Sequence, residues 1–311
     1  MASVTHIHNG DVMAVHARRA GIEGDHHAFR EALLGGPVLE GEGWIERRAK
    51  FLSSYGDDIL RISNRLFEQQ QMINAAAANA EEIVLWFEYD VFCLIHLIYL
   101  LPRLPAGRTS VVWHDQPLGE ISAPEDLLRL HTRRRPATRE MITLAREAWQ
   151  AYTADEPSSL NRMISAHFNE FPFLRDGLVL HASRFPSLRN GLGIIEQRIL
   201  EFIADGATDF PALFNRFWSS YPRFGLGDTE VLRHIHTLAA RRHPLINLTE
   251  GSEKQASFTI TEQGERTLAG ADDVAANGID LWLGGVHLTE ERYWRWDSDR
   301  GEIIPSRSAG S

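Results

Sequence analysis

The sequence predicts an α/β protein, with an N-terminal doubly wound, mostly parallel sheet followed by a helical segment and a winged-helix-like C-terminal domain. Three observations predict it. Short apolar runs alternate with helical periodicity in the first third of the chain. The pattern from Ala123 to Arg184 is helical. The last third reads as three amphipathic helices, then two alternating strands around a polar turn, then a further helix. At 311 residues the chain exceeds one hydrophobic core, and we expect four segments: 1–120 α/β, 121–186 a helical linker bundle, 187–270 winged-helix-like, and 271–311 a tail packed back on the core.

Each element has a local cause. A strand-like run from Ser3 ends in Asn9-Gly10-Asp11, a turn signal, and Val12–Ala20 follows as a helix stopped by Gly21. A second strand is expected near His26–Phe29, before the Gly35-Gly36-Pro37 break. Trp44–Ala80 is read as mostly helix, with Leu52, Ile62 and Leu66 among its core positions. The uninterrupted run Ile83-Val84-Leu85-Trp86-Phe87 suits a strand buried on both faces. Glu88-Tyr89-Asp90 ends it, Val91–Leu101 continues as an apolar helix closed by Pro102, and Ser110–Trp113 is the next strand.

Beyond these, Glu140–Tyr152 and Ser158–Phe168 read as separate helices, with Pro136 and Pro157 as breaks. Ile194–Ile203 and Pro211–Tyr221 give the first two helices of the last third. Asp228 is the expected N-cap of the third, and Pro244 ends it. Ile246–Leu248 and Phe258–Ile260 would be a hairpin around the Gly251–Gln255 turn, and Thr261–Leu268 a final helix.

Composition narrows the function classes. The formal net charge of −10 repels polyanions at long range. One cysteine, Cys93, permits no intramolecular disulfide and no cysteine-based zinc site. No cationic segment followed by an apolar run opens the chain, and the most apolar stretch, Ile83–Leu101, is interrupted by Glu88, Asp90 and His96. A cytoplasmic protein without a membrane span is the simplest expectation.

The chemistry-bearing residues gather at predicted strand ends. Asn9 and Asp11 follow the first strand, and Glu88 and Asp90 follow a later one. In open α/β sheets ligands bind beyond the carboxyl ends of strands. If the two strands are neighbours, two or three carboxylates, an amide and the Arg30 cation share one crevice. Crowding of that kind raises one carboxyl pKa and leaves its neighbour ionised, which suits acid–base chemistry. The plainer reading makes Asn9-Gly10-Asp11 a turn, with Glu88 and Asp90 capping the next helix. His6 and His8 lie on one face of the first strand and could join an Asp in a metal site, a reading we do not adopt. No Gly-x-Gly-x-x-Gly, P-loop or Gly-x-Ser-x-Gly motif occurs, so neither a dinucleotide cofactor nor a serine triad is expected.

His6-Ile7-His8-Asn9-Gly10-Asp11, Arg30-Glu31, Gly36-Pro37, Trp86-Phe87-Glu88-Tyr89-Asp90 and the distal Asn277–Leu288 together resemble the bacterial domain of unknown function 1835 family. That family has a small hydrophobic residue at the position of His8 and often a His at that of Tyr89, so His6 is the closer counterpart. The resemblance implies an architecture and a site location, not a reaction. Because it touches both ends of the chain, it implies that His287 completes the crevice.

The resulting expectation is an enzyme acting on a small polar metabolite without any cofactor or metal, by hydrolysis or group transfer. Asp11, Glu88 and Asp90 would be the acid–base groups, and His6, Asn9, Arg30 and His287 would bind the substrate. The rival is a ligand-sensing winged-helix regulator. DNA binding is disfavoured, because the third helix opens Asp228-Thr229-Glu230, with Arg241 and Arg242 at its far end. A homodimer and a non-catalytic interaction protein are both compatible with the sequence.

Overall fold

The computed structural model describes residues 3–54, 56–249, 256–275 and 278–306. The chain divides into two compact units, Met1–Gly177 with Gly284–Val286, and Leu178–Leu283 with His287–Ser311.

The first unit is α/β. Its elements are β1 (Val4–His8), α1 (Asp11–Arg19), β2 (Asp25–Ala28), α2 (Trp44–Ser53), α3 (Ile59–Asn79), β3 (Glu82–Glu88), α4 (Val91–Leu100), β4 (Thr109–His114), α5 (Pro124–Thr132), β5 (Arg135–Pro136), α6 (Arg139–Thr153) and α7 (Ser158–Ser165). α8 (Leu174–Ala182) then crosses the boundary in sequence. The five strands run in the order β2-β1-β3-β4-β5. The first four are parallel, and β5 joins antiparallel at the edge.

β3 is central because every residue from Ile83 to Phe87 is fully buried, so both of its faces need a cover. On one face Val84 and Trp86 pack with Met13 and Ala17 of α1, Val112 of β4 and Leu127 of α5. On the other, Phe87 meets the ring of His96 in α4. α4 is buried along nearly its whole length, as expected of a helix apolar all round.

The stretch after residue 120 differs from a separate linker bundle. Arg135-Pro136 pairs with Val111 and Ser110, so what reads as a proline break is a short edge strand. Proline is tolerated there because the outer side of an edge strand needs no N–H donor. α5 lies beside α1 and α6 beside α4, so the residues up to Gly177 complete the first unit.

The second unit contains α9 (Ile194–Ala204), α10 (Phe210–Ser220), α11 (Asp228–Ala239), the antiparallel pair β6 (Ile246–Thr249) and β7 (Ser257–Ile260), and α12 (Glu262–Ala269). Ile199, Leu213, Phe217, Ile235 and Phe258 are buried in its core. Gly227, not Asp228, is the N-cap of α11, and Asp228 is its first residue. The Asp228 carboxylate takes the adjacent Thr229 N–H at 2.8 Å, too local to cap the helix. The Gly251–Gln255 turn lies outside the described residues.

The C-terminal region forms two hairpins, β8 (Asp280–Leu283) with β9 (Val286–Thr289), and β10 (Trp294–Asp297) with β11 (Glu302–Pro305). Of the tail expected to dock on the α/β domain, Gly284–Val286 belongs to the first unit. There Val38 N–H donates to Gly284 O at 3.0 Å and Gly285 N–H donates to Tyr152 O at 2.8 Å. Trp282, His287, Trp294 and Trp296 belong to the second unit, and Asn277 lies outside the described residues.

Candidate functional site

The strand order sets the location. From β1 the chain moves outward to β2, whereas from β3 it moves the other way to β4, so the connections diverge between the adjacent strands β1 and β3. The crevice beyond the carboxyl ends at such a divergence is where open α/β sheets bind ligands. Asn9 directly follows β1 and donates its backbone N–H to Trp86 O at 3.1 Å. Glu88 ends β3, in register with His114 at the end of β4. The three strand ends therefore present an amide, a carboxylate and an imidazole.

Asn9 and Glu88 meet directly, with Nδ2 donating to Oε1 at 2.6 Å. The other Glu88 oxygen accepts the backbone N–H of Leu118. Asn9 Nδ2 also approaches Cys93 Sγ at 3.6 Å, and the thiol lies 3.9 Å from Glu88 Oε1. Asp90 is the N-cap of α4, accepting Cys93 N–H at 2.6 Å, and is 6% exposed. Two carboxylates therefore sit together with amide donors and no cationic hydrogen-bond partner among the described residues.

Burial raises the pKa of Glu88, and the Leu118 amide, His114 and Asn9 oppose that rise. Burial raises Asp90 well above the ordinary aspartate range, and the neighbouring Glu88 charge adds to it. Burial, with both carboxylates adding to it, likewise pushes the Cys93 thiol well up. The arrangement separates two carboxyls by environment: burial and the neighbouring charge push Asp90 further toward its protonated form, and the amides support the charge of Glu88. Glu88, Asp90 and Cys93 also offer ligand atoms within 4.8 Å of one another, so this set could hold a cation. A cation would have to displace the proton that burial favours on the thiol.

Asp11 and Arg30 form a second, more exposed pair. Arg30 Nε donates to Asp11 Oδ2 at 2.7 Å, and Nη2 donates to the other oxygen. The guanidinium holds the Asp11 carboxyl below its ordinary range. With side chains 63% and 50% exposed, Asp11 and Arg30 neutralise each other, and Asp11 is not poised as an acid.

His6 is not brought to this group. Its Nδ1 accepts Trp86 Nε1–H at 3.1 Å and its Nε2 donates to Glu23 O at 3.0 Å, so both nitrogens are spent in the core. It stacks on His26 at 4.5 Å between ring centroids. His8 Nε2 donates to His26 Nδ1 at 2.9 Å, because His26 spends its own N–H on Ile22 O. The His6, His8 and His26 rings lie nearly parallel, so their lone pairs do not converge as ligands on one ion would. His287, in the second unit, stacks on Trp282 and pairs with Asp280 at 2.7 Å.

Sequence reasoning passed over His114 and the Leu118 amide. His114 was within reach, since it ends a predicted strand as Glu88 does. The Leu118 amide carried no signal, because any residue supplies one. No protein-family model and no curated protein matches the chain.

Proposed function

We propose that the first unit binds a small polar metabolite at the carboxyl ends of β1, β3 and β4, and that Glu88 moves a proton to or from it. The observation that carries this reading is the Asn9–Glu88 hydrogen bond of 2.6 Å at the divergence of the sheet, beside a buried Asp90 with no cationic hydrogen-bond partner among the described residues. Glu88 acts as the base. Asn9 and the Leu118 amide orient its carboxylate, and a protonated Asp90 spares it a second negative charge. Arg30, paired with Asp11, is the cation available to an anionic group of the substrate. Hydrolysis and group transfer both fit such a site. The motif resemblance to the domain of unknown function 1835 family draws on the same strand ends, and a cytoplasmic location belongs to the same proposal. Among the described residues no helix is long and apolar enough to cross a membrane.

For the second unit we propose a winged-helix-like arrangement, on the order α9, α10, α11, β6, β7, α12. Its first α11 turn carries Asp228 and Glu230, which disfavours a role in reading DNA. Homodimerisation is its alternative use.

Equilibrium dialysis of the purified chain against a metabolite extract, read by mass spectrometry, tests the reading. We expect a metabolite enriched by the wild-type chain and lost with Glu88→Gln and with Asn9→Ala. Enrichment that is absent, or that survives both substitutions, refutes it. Nanomolar binding of duplex DNA in an anisotropy titration would favour a regulator instead.

A further inference from the structure

Two adjoining cavities of the second unit are lined by charges that the fold leaves open. They measure about 330 and 390 Å³ and share Arg241, Gly278, Ile279 and Asp280 as a common wall. Both volumes fall within the range of small-ligand pockets, roughly 300–1,000 Å³. The smaller cavity is lined by two guanidinium groups, Arg241 and Arg242, and by two carboxylates, Asp280 and Glu290.

Arg241 is the unusual member. It lies just beyond the end of α11 and is partly buried. Its Nη1 reaches only Val274 O, at 3.5 Å. Nε is sealed without an acceptor, whereas Nη2 stays accessible and has no hydrogen-bond partner among the described residues. Burial lowers the pKa of this guanidinium, and the charge of Glu196 opposes that. Glu196 itself is committed to His234, at 2.7 Å. A poorly solvated guanidinium with an open donor is a place where an anionic group gains a charge-assisted hydrogen bond. Arg242, exposed beside it, likewise has no hydrogen bond or ion pair among the described residues.

The rest of the lining decides the ligand's overall charge. Glu290 is exposed, and its Oε1 lies 3.0 Å from where a Gly278 side chain would begin, so this carboxylate sits over the shared wall. Asp280 spends Oδ1 on His287 at 2.7 Å and leaves its other oxygen open. The carbonyl end of α11 adjoins the same wall and favours positive charge. Two cations and two anions on one small cavity suit neither a bare anion nor a bare cation. They suit a ligand that carries one charge of each sign a few bonds apart.

We propose that this cavity binds a free α-amino acid in its zwitterionic form. Arg241 Nη2 and Arg242 donate to its carboxylate, and Glu290 and the open Asp280 oxygen accept its ammonium. The adjoining cavity, with Pro186, Ile279 and Leu281 in its lining, takes the side chain. The proposal is independent of the Glu88 reading, because all of its residues belong to the second unit.

The test uses the full-length chain and the common L-amino acids, presented one at a time in saturation-transfer NMR. Each that binds is then titrated by isothermal titration calorimetry against its own amide, which lacks the carboxylate, and the matching acid without the amino group. We expect at least one amino acid to bind saturably and roughly tenfold or more tighter than both controls. Arg241→Met should abolish that binding. Glu290→Gln should weaken it several-fold while leaving any residual binding of the deaminated acid unchanged. Should Arg241→Met fail to fold, the exposed positions decide through Arg242→Gln and Glu290→Gln, and weakening by both supports the site. No binding of any amino acid, a control that binds as tightly as the amino acid, or binding indifferent to Arg242→Gln and Glu290→Gln overturns it.

Discussion

Replacing Arg48 by Met should be among the most damaging single changes in the first unit. The guanidinium is fully buried, pairs with Glu31 at 2.7 Å and donates to the carbonyls of Ala32, Gly35 and Pro37. One side chain thus satisfies the loop that follows β2, the loop that also presents Arg30. Met fills similar volume but leaves a carboxylate in a dry site without its counter-charge. Breaking one partner of such a buried pair costs about 3–5 kcal/mol, against a whole-domain stability of about 5–15 kcal/mol. Urea unfolding followed by hydrogen exchange on first-unit peptides isolates the effect from the second unit. The double variant Glu31→Leu/Arg48→Met should be milder than Arg48→Met alone, because no unpaired charge remains buried. A single-variant loss below about 1 kcal/mol, or a double variant as damaged as the sum of the singles, would refute the reasoning.

Further outcomes follow from other parts of the first unit. Burial holds His6 and His96 down to about 4 and His8 to about 2, so all three stay neutral in the fold at pH 5. Their contribution is complete above the unfolded value near 6.5 and is lost as pH falls toward the folded value, at about 2 kcal/mol per histidine between pH 7 and 5. Histidine proton–carbon NMR should therefore show their ring signals unmoved over that range, and signals titrating near 6.5 would contradict it. Gly285→Ala would set a methyl 2.0 Å from Thr153 O, so exchange protection at the Tyr152–Gly285 hydrogen bond should fall while the β1–β4 strands keep theirs. Unchanged protection at that bond would count against the placement of this loop.

Much of this arrangement was legible in the sequence, and the exceptions have physical causes. β3 could be read because a run of five apolar residues has no other comfortable home than a two-faced strand. The adjacency of β1 and β3 could be supposed but not read, because strand order depends on crossovers that leave no mark at any one residue. β5 was missed because two residues with a proline look like a break, and only pairing to Val111 makes them a strand. The His6–His8 pair read correctly as sharing one face, but which side that face met was not encoded locally; Trp86, Glu23 and His26 settle it. Of the motif positions Arg30-Glu31 and Gly36-Pro37, Glu31 and Pro37 both bond to Arg48, a residue no motif marked. Phe51 packs within 2.3 Å of where a Gly36 side chain would begin, at φ +71°, so both space and backbone demand glycine there.

How Glu88 and Asp90 divide their protons is the most direct test of the proposed site. Side-chain carboxyl carbon-13 NMR of the labelled chain, titrated from pH 3 to pH 9 and assigned with Glu88→Gln and Asp90→Asn, measures this directly. We expect Asp90 to titrate well above the ordinary carboxylate range of about 4, Glu88 to titrate above its own ordinary value but below Asp90, and Asp90→Asn to lower the Glu88 midpoint. Midpoints near 4 for both groups, unaffected by each other's substitution, would show two independent surface-like acids and contradict the site.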